Sequence, residues 1–233
     1  MTTIALIGNP NVGKTELFNR LTGLKQHVGN WPGVTVEKKT GKYSNNGENI
    51  KVVDLPGTYS LTAQAKDELI ARNYLILDRP DVVINIVDGT KLERNLYLTL
   101  LLLEMEANVV MALNRWDLVK EKHIEVDTNK LSQSLGIPII PTVATTGEGL
   151  EELKKAVMKA VQTKENRQKN GLTYGEDVEQ AITGIETSIK KDWNLSKNYP
   201  SRWLAIKVLE NDTQALDLIK DSPQKREIMG ARG

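Results

Sequence analysis

Gly8-Asn9-Pro10-Asn11-Val12-Gly13-Lys14-Thr15 reads G-x-x-x-x-G-K-[ST], a phosphate-binding P-loop. The apolar run Ile4-Ala5-Leu6-Ile7 before it suits a buried strand, and Glu16-Leu17-Phe18-Asn19-Arg20-Leu21 after it suits a helix. The loop therefore stands in the strand–turn–helix setting that the motif needs. Glycines let the backbone turn so that several N–H groups converge on phosphate oxygens, and the helix start adds partial positive charge. In this arrangement Lys14 reaches the β- and γ-phosphates, Thr15 offers its hydroxyl to Mg²⁺, and Glu16 closes the contact set.

Two further motifs follow in order. Val52-Val53-Asp54-Leu55-Pro56-Gly57 is a strand ending in D-x-x-G; its aspartate can hold Mg²⁺ through water and the Gly57 N–H can meet a γ-phosphate. Alone, D-x-x-G usually marks a turn. Val109-Val110-Met111-Ala112-Leu113 is a buried strand that runs into Asn114-Arg115-Trp116-Asp117, an N-x-x-D at the carboxyl edge where ligands bind in open α/β sheets. The Asp117 carboxylate can accept both the ring N–H and the exocyclic amine of guanine. Adenine lacks that donor pair in that arrangement, so the pattern favours GTP over ATP. Asn and Asp also recur in plain turns; what gives this motif weight is its place after a P-loop and D-x-x-G.

The hydrophobic pattern carries the rest of the fold. Strand patterns fall at 3–7, 34–39, 50–54, 82–87, 108–113 and 137–140, and helical patterns at 15–22, 64–77, 91–104, 127–134 and 149–162. Such alternation predicts an α/β fold, a mostly parallel sheet with helices on both faces. Asn45-Asn46-Gly47 is a hairpin signal between the second and third strands, and Gly23 is placed to cap the first helix. Residues 1–163 make up this nucleotide-binding domain. Residues 164–174 are polar, without apolar periodicity, and read as a linker. From 175 to 233 the pattern is helical, near 175–191, 199–210, 212–219 and 222–229, which predicts a small four-helix bundle with Trp193 and Trp203 as core anchors.

At 233 residues the chain is large enough for one sizeable core and a small second unit. Its 39% hydrophobic and 26% charged residues are ordinary for a soluble domain. A formal net charge of +1 without a block of like charge argues against a nucleic-acid surface. With no cysteine there is neither disulfide nor thiolate chemistry. No secretory signal and no apolar stretch of membrane length is visible, so the chain by itself is expected in the cytosol.

The three motifs resemble the translation-factor-like class of small GTPases. A narrower resemblance lies between the first two. Val28-Gly29-Asn30-Trp31-Pro32-Gly33-Val34-Thr35-Val36-Glu37-Lys38-Lys39 is similar to switch I of the ferrous iron transport protein B (FeoB) family. Gly8-Asn9-Pro10-Asn11, Asp54-Leu55-Pro56-Gly57-Thr58-Tyr59-Ser60-Leu61 (switch II) and Leu92-Glu93-Arg94-Asn95-Leu96-Tyr97-Leu98 resemble it too. The likeness is close over roughly residues 3–160 and weaker through Arg202-Trp203-Leu204-Ala205-Ile206-Lys207-Val208-Leu209-Glu210. It implies a P-loop GTPase head on the cytoplasmic side of the cell membrane, carried by a permease domain in the same longer chain. It also implies a helical domain that modulates nucleotide release, or that merely packs against the head. Small regulatory iron-transport proteins and a second copy of the chain are the further partners it leaves open.

The resemblance also distributes roles. Thr35 becomes a second Mg²⁺ hydroxyl and γ-phosphate sensor, although a threonine between Val34 and Val36 equally suits a plain strand; Gly33 and Val34 flank it in the nucleotide contact set. Catalysis rests on Lys14, Gly57, Thr35 and Asn11. Ras-type enzymes place a glutamine after D-x-x-G, where this chain has Thr58, and no arginine finger in cis is evident near switch I. The implied substitute is K⁺, held by the Asn11 side-chain oxygen and capped by the carbonyls of Gly29 and Trp31; otherwise Asn11 is a loop brace. In the base pocket the expected Ser-Ala pair is replaced within Thr142-Val143-Ala144-Thr145. Ala144 can still offer its N–H to guanine O6, Thr145 follows it, and Val143 replaces a bracing hydroxyl. Arg115 and Trp116 depart from the small or aliphatic residues usual in N-x-x-D, and Trp116 either stacks near the base or covers the strand edge. Glu37, Lys38, Lys39, Asp67 and Glu68 read as solvated charges. A free GTPase of ribosome or tRNA work, and a non-hydrolysing GTP-dependent binding module, are the competing readings.

Overall fold

The computed structural model describes residues 1–23, 26–45, 47–62, 65–163 and 172–232. Most of the expected linker, 164–171, lies outside the described residues, as does Asn46 of the expected hairpin turn.

β1 (Thr3–Gly8) is the parallel centre of a seven-stranded sheet. The order is β2-β3-β4-β1-β5-β6-β7, with β4 (Glu48–Asp54), β5 (Val82–Asp88), β6 (Val109–Asn114) and β7 (Ile139–Pro141). β1 lies parallel to β4 and β5, and β5, β6 and β7 continue in parallel. β2 (Gln26–Asn30) and β3 (Glu37–Asn45) complete the sheet as antiparallel partners. β3 closes on β4 with Asn45 opposite Glu48, the register that an Asn-Gly turn dictates.

Side-chain alternation splits the core. Ile4 and Leu6 of β1 join the cluster under α1 (Lys14–Thr22) and α6 (Leu150–Gln162), whereas Ala5 and Ile7 point to the opposite face. That opposite face carries α2 (Lys66–Asn73), with the π-helical turn Tyr74–Asp78, and α3 (Leu92–Glu104). Gly23 ends α1 with φ 57°, its N–H on the Asn19 carbonyl at 2.8 Å, as the sequence predicts.

The remaining helices are α4 (Trp116–Glu121), α5 (Thr128–Leu135), α7 (Glu176–Lys191), α8 (Trp193–Asn198), α9 (Ser201–Leu209), α10 (Thr213–Ile219) and α11 (Lys225–Gly230). Among the described residues the last five form the helical unit, one helix more than the four expected; α8 is too short to show periodicity. Its core residues Ile182, Ile185, Trp203, Leu204 and Ile228 are continuous with the α3 face of the sheet, so the unit is docked. No helix among the described residues is long and apolar enough to cross a membrane.

Several expectations need correction. The 34–39 strand begins only at Glu37, because Trp31 N–H bonds to Val36 O at 2.9 Å and Val34 N–H to Trp31 O at 3.2 Å, folding 31–36 into a turn. β2 is a polar, exposed edge strand whose sequence carries no alternation. Trp203 is a core anchor at 1% exposure, but Trp193 is 67% exposed, its ring covered only by the Lys197 ammonium at 4.4 Å. Two of the charges read as solvated are in use: Lys38 is half-buried 4.3 Å from the Trp31 ring centroid, and Glu68 accepts from Thr62 Oγ1 at 3.1 Å.

Candidate nucleotide site

The carboxyl ends of β1, β4, β5 and β6 meet at one edge, and the three motifs meet there with them. Gly8 lies so close to β5 that a Cβ would overlap the Ile86 carbonyl, and a Cβ on Gly13 would overlap the Asn114 side chain. Gly13 has φ 88° and Asn11 φ 65°, so the loop turns through two left-handed residues before α1 begins at Lys14. Asn11, Pro10, Thr15 and Glu16 are exposed, whereas Asn9 and Val12 are buried. Thr58 N–H donates to the Gly8 carbonyl at 3.1 Å and Gly57 packs against Pro10, which stitches the D-x-x-G segment to the P-loop.

Lys14 Nζ donates to Asp54 Oδ1. Burial pushes the Asp54 carboxyl above its ordinary range, and the neighbouring Lys14 ammonium offsets this only in part. The buried Asp54 carboxylate and the exposed Thr15 hydroxyl at the start of α1 are oxygen donors of the kind Mg²⁺ takes.

On the base side the sequence motif becomes a bridge. Asn114 Nδ2 donates to Val12 O at 2.7 Å, and its Oδ1 accepts from Ala144 N–H at 2.9 Å and from Thr142 Oγ1 at 3.4 Å. Asn114 thus joins the P-loop to the loop after β7. Ala144, expected to offer its N–H to guanine O6, lines the cleft and here donates that N–H to Asn114. The bridge also uncovers a brace that the motif did not suggest, the Thr142 hydroxyl, while Val143 is buried and its carbonyl accepts from Gly147 N–H at 2.8 Å. Arg20 donates to the Thr145 carbonyl.

The cleft between these loops encloses about 410 Å³ and is lined by Asn11, Gly13, Glu16, Asn114, Arg115, Asp117, Leu118, Val143, Ala144 and Thr145. Asp117 is exposed at its rim, at the start of α4, and among the described residues it has no hydrogen-bond or ion-pair partner. Trp116 is not in the cleft; it packs against the hydrophobic core, which decides between its two readings. Arg115 lines the cleft, and its guanidinium donates to Asp88 and to the Asn11 carbonyl.

None of Gly29, Trp31, Gly33, Val34 and Thr35 lines the cleft. Gly29 is a ladder residue opposite Lys38, the Trp31 carbonyl is used by Val34 N–H, and Gly33, Val34 and Thr35 sit in the turn between β2 and β3 with Thr35 exposed. The P-loop, D-x-x-G and N-x-x-D residues are therefore brought together, and Thr35, Gly29 and Trp31 are not. A second hollow of about 120 Å³ flanks the P-loop on its other side, between Asn9, Tyr59 and Arg94, with the Arg94 guanidinium 4.6 Å above the Tyr59 ring.

Comparison with known proteins places this geometry. The family model described as ferrous iron transport protein B matches residues 2–157, and that for the FeoB cytosolic helical domain matches residues 174–232. The Fe(2+) transporter FeoB of Methanocaldococcus jannaschii is 52% identical over 225 residues, covering 97% of this chain and 33% of that protein. The Fe(2+) transporter FeoB of Escherichia coli K12 is 44% identical over 214 residues, covering 90% of this chain and 27% of that protein. The chain thus spans about a third or less of the length of these curated relatives. A crystal structure of the cytosolic domain of the T. maritima FeoB iron transporter in GDP form II is similar, with TM-score 0.87 and 42% identity over 100% of this chain and 92% of that one. An S. thermophilus NFeoB mutant bound to mGDP gives TM-score 0.88 and 39% identity over 100% and 88%. The P-loop GTPase architecture, its docked helical unit and both family matches lead to one conclusion: the chain belongs to the ferrous iron transport protein B family.

Proposed function

We propose that this chain binds and hydrolyses GTP as the nucleotide-sensing head of a ferrous-iron membrane transporter. The observation that carries the reading is the Asn114 bridge, which holds the phosphate loop and the base loop around one cleft, with the Asp117 carboxylate, unpaired among the described residues, at its rim. GDP and mGDP in the cited relatives support guanine as the base, and the length of the curated relatives supports a permease domain in the same longer chain, with this part on the cytoplasmic side.

Phosphoryl transfer needs positioning and charge more than covalent chemistry. The P-loop amides, the start of α1 and Lys14 supply fixed positive charge around the β- and γ-phosphates. Thr15, Thr35 and Asp54 would hold Mg²⁺, which would supply further positive charge to the phosphates. A GTP γ-phosphate would compete with Asp54 for the Lys14 ammonium. Thr35 would move to the γ-phosphate with its hairpin and leave when GTP is cleaved, an order–disorder switch. The Asn11 side-chain oxygen and the carbonyls of Gly29 and Trp31 would hold K⁺, which would supply the charge that an arginine finger adds elsewhere. The helical unit modulates nucleotide release from the α2 and α3 side.

Phosphate release from GTP in equal ionic strengths of K⁺ and Na⁺ tests this reading. Turnover should be Mg²⁺-dependent and faster in K⁺, and Asn11→Ala should remove the difference, at a cost of roughly 10²-fold or more in rate. No phosphate release in either salt would leave a binding module, and equal rates in both would make Asn11 a loop brace.

A further inference from the structure

The smaller hollow beside the P-loop shares only Asn11 and Arg115 with the nucleotide cleft, and its chemistry differs. One carboxylate lines it, Asp88, and that acid is spent. Its Oδ1 accepts from Thr90 N–H at 2.9 Å and Thr90 Oγ1 at 2.7 Å, and its Oδ2 from Arg115 at 3.0 Å. Two further cations line the hollow, Lys91 and Arg94, and neither has a carboxylate partner among the described residues. The Arg94 guanidinium lies 4.6 Å from the Tyr59 ring centroid, which holds it at the wall without using an acceptor. Asn9 also lines the hollow; it is 4% exposed, and its Oδ1 has no partner among the described residues. The hollow therefore combines surplus positive charge with a buried acceptor that lacks a donor. At about 30 Å³ for each water in the liquid, its 120 Å³ suits a tetrahedral oxyanion and is too small for a nucleoside.

We propose that this hollow is a second oxyanion site and that it takes hydrogen phosphate. Lys91 and Arg94 pair with the charged oxygens, and the P–OH group donates to Asn9 Oδ1. At neutral pH both ionised forms of orthophosphate keep at least one O–H. Sulfate has the same shape and carries two negative charges, but it has no O–H, so it would leave Asn9 Oδ1 unpaired. The site needs only the free anion, and so goes beyond the GTP reading. Its place still ties it to that reading. Gly57 packs against Pro10, which lines the hollow, so a γ-phosphate cut from GTP at the P-loop would have the hollow beside it. Phosphate from the chain's own GTP cleavage and phosphate from solution share this chemistry.

The test is phosphorus NMR of orthophosphate titrated, at constant ionic strength, into the 233-residue chain loaded with excess GDP. The orthophosphate line should broaden saturably, and sulfate should displace it only at about tenfold higher concentration or more. Lys91→Met and Arg94→Met should each raise the half-saturating phosphate concentration about tenfold or more, because charge-assisted bonds are lost. Arg94→Lys should recover part of that loss. GDP affinity should stay within about twofold in all three variants. A single turnover of GTP, read with a phosphate sensor, separates the two sources. Faster phosphate release in Lys91→Met, with cleavage unchanged, means that the product passes through the hollow. Unchanged release, with the titration differences intact, means that the site fills from solution. Absent broadening in wild type, equal broadening in Lys91→Met and Arg94→Met, or sulfate competing as well as phosphate would overturn the proposal. So would broadening that GDP abolishes, since the anion would then sit in the nucleotide cleft. A chain that releases no phosphate from GTP defeats the hydrolysis reading and leaves the titration to decide this one.

Discussion

Asp117 stands exposed at the cleft rim with no partner among the described residues, so its carboxylate is free to accept from a base. Asp117→Asn exchanges an acceptor for a donor at that edge. Preference should pass from GTP to xanthosine triphosphate, with GTP losing up to about 10⁴-fold, the scale on which a site built for one hydrogen-bonding edge rejects another. A competition titration with unchanged preference would show that the cleft reads the base elsewhere. Thr35 offers the contrasting case. It sits in an exposed turn away from the phosphate-binding residues, so Thr35→Ala should leave GDP affinity within about twofold while slowing hydrolysis; equal loss of GDP and GTP binding would make the residue structural. That the motif residues meet at one cleft was readable because a P-loop, D-x-x-G and N-x-x-D each fix residue types at strand ends, and strand ends are visible in the apolar pattern. What stayed hidden were contacts between distant segments. Nothing in the local sequence says that Ala144 N–H is consumed by Asn114 across 30 positions, or that Arg115 reaches back to Asn11.

The β2–β3 hairpin is the element on which switching would turn, and its packing suggests what holds it. Trp31 is 6% exposed, edge-on to Tyr74 at 5.5 Å, and Lys38 from the opposite strand lies over the Trp31 ring. Val34 and Val36 press on the same core cluster. Among the described residues the Trp31 indole N–H has no acceptor, so the packed ring forfeits a hydrogen bond and is held by apolar and cation–π contact. If Thr35 reaches the γ-phosphate only when this hairpin lifts, weakening the stack should favour the GTP state. A cation–π contact of about 0.5–1 kcal/mol makes Lys38→Ala tighten a non-hydrolysable GTP analogue about two- to fivefold. GDP affinity should hold, and amide exchange across 26–40 should quicken. An equal change in both affinities would mean that the stack does not restrain the switch. None of this was legible: β2 is a polar edge strand, and the Tyr74 turn is π-helical where periodicity predicts a continuous helix.

Across the whole molecule the sequence indicated a helical second unit but not how it meets the first, because docking depends on pairs far apart in the chain. One such pair joins the helix after switch II to the helical unit. Arg72, at 2% side-chain exposure, donates to Asp212 at 3.1 Å and 3.3 Å, lies 4.9 Å from the Trp203 ring centroid, and reaches the Thr62 carbonyl at 3.5 Å. A second, around Lys207, pairs α9 with Glu104 of α3 at 3.4 Å. Breaking a buried pair from one side costs about 3–5 kcal/mol, since the stranded charge remains in a poor solvent; Asp212 is the less buried partner, at 12% side-chain exposure, so Asp212→Asn should fall near the lower end. Its ionisation supplies an independent check. Burial raises the Asp212 pKa, but the Arg72 hydrogen bond and the Ala215 N–H outweigh it, and the carboxyl ends below its ordinary 3.8. A depressed carboxylate pKa contributes stability that is complete above the unfolded value and disappears as pH falls through the folded one. The thermal midpoint gap between wild type and Asp212→Asn should therefore be constant from about pH 5 to pH 8 and shrink only below about pH 4. A gap as wide at pH 3 as at pH 7 would mean that the carboxylate charge is not what docks the helical unit, and that the apolar cluster around Trp203 holds the two parts together without it.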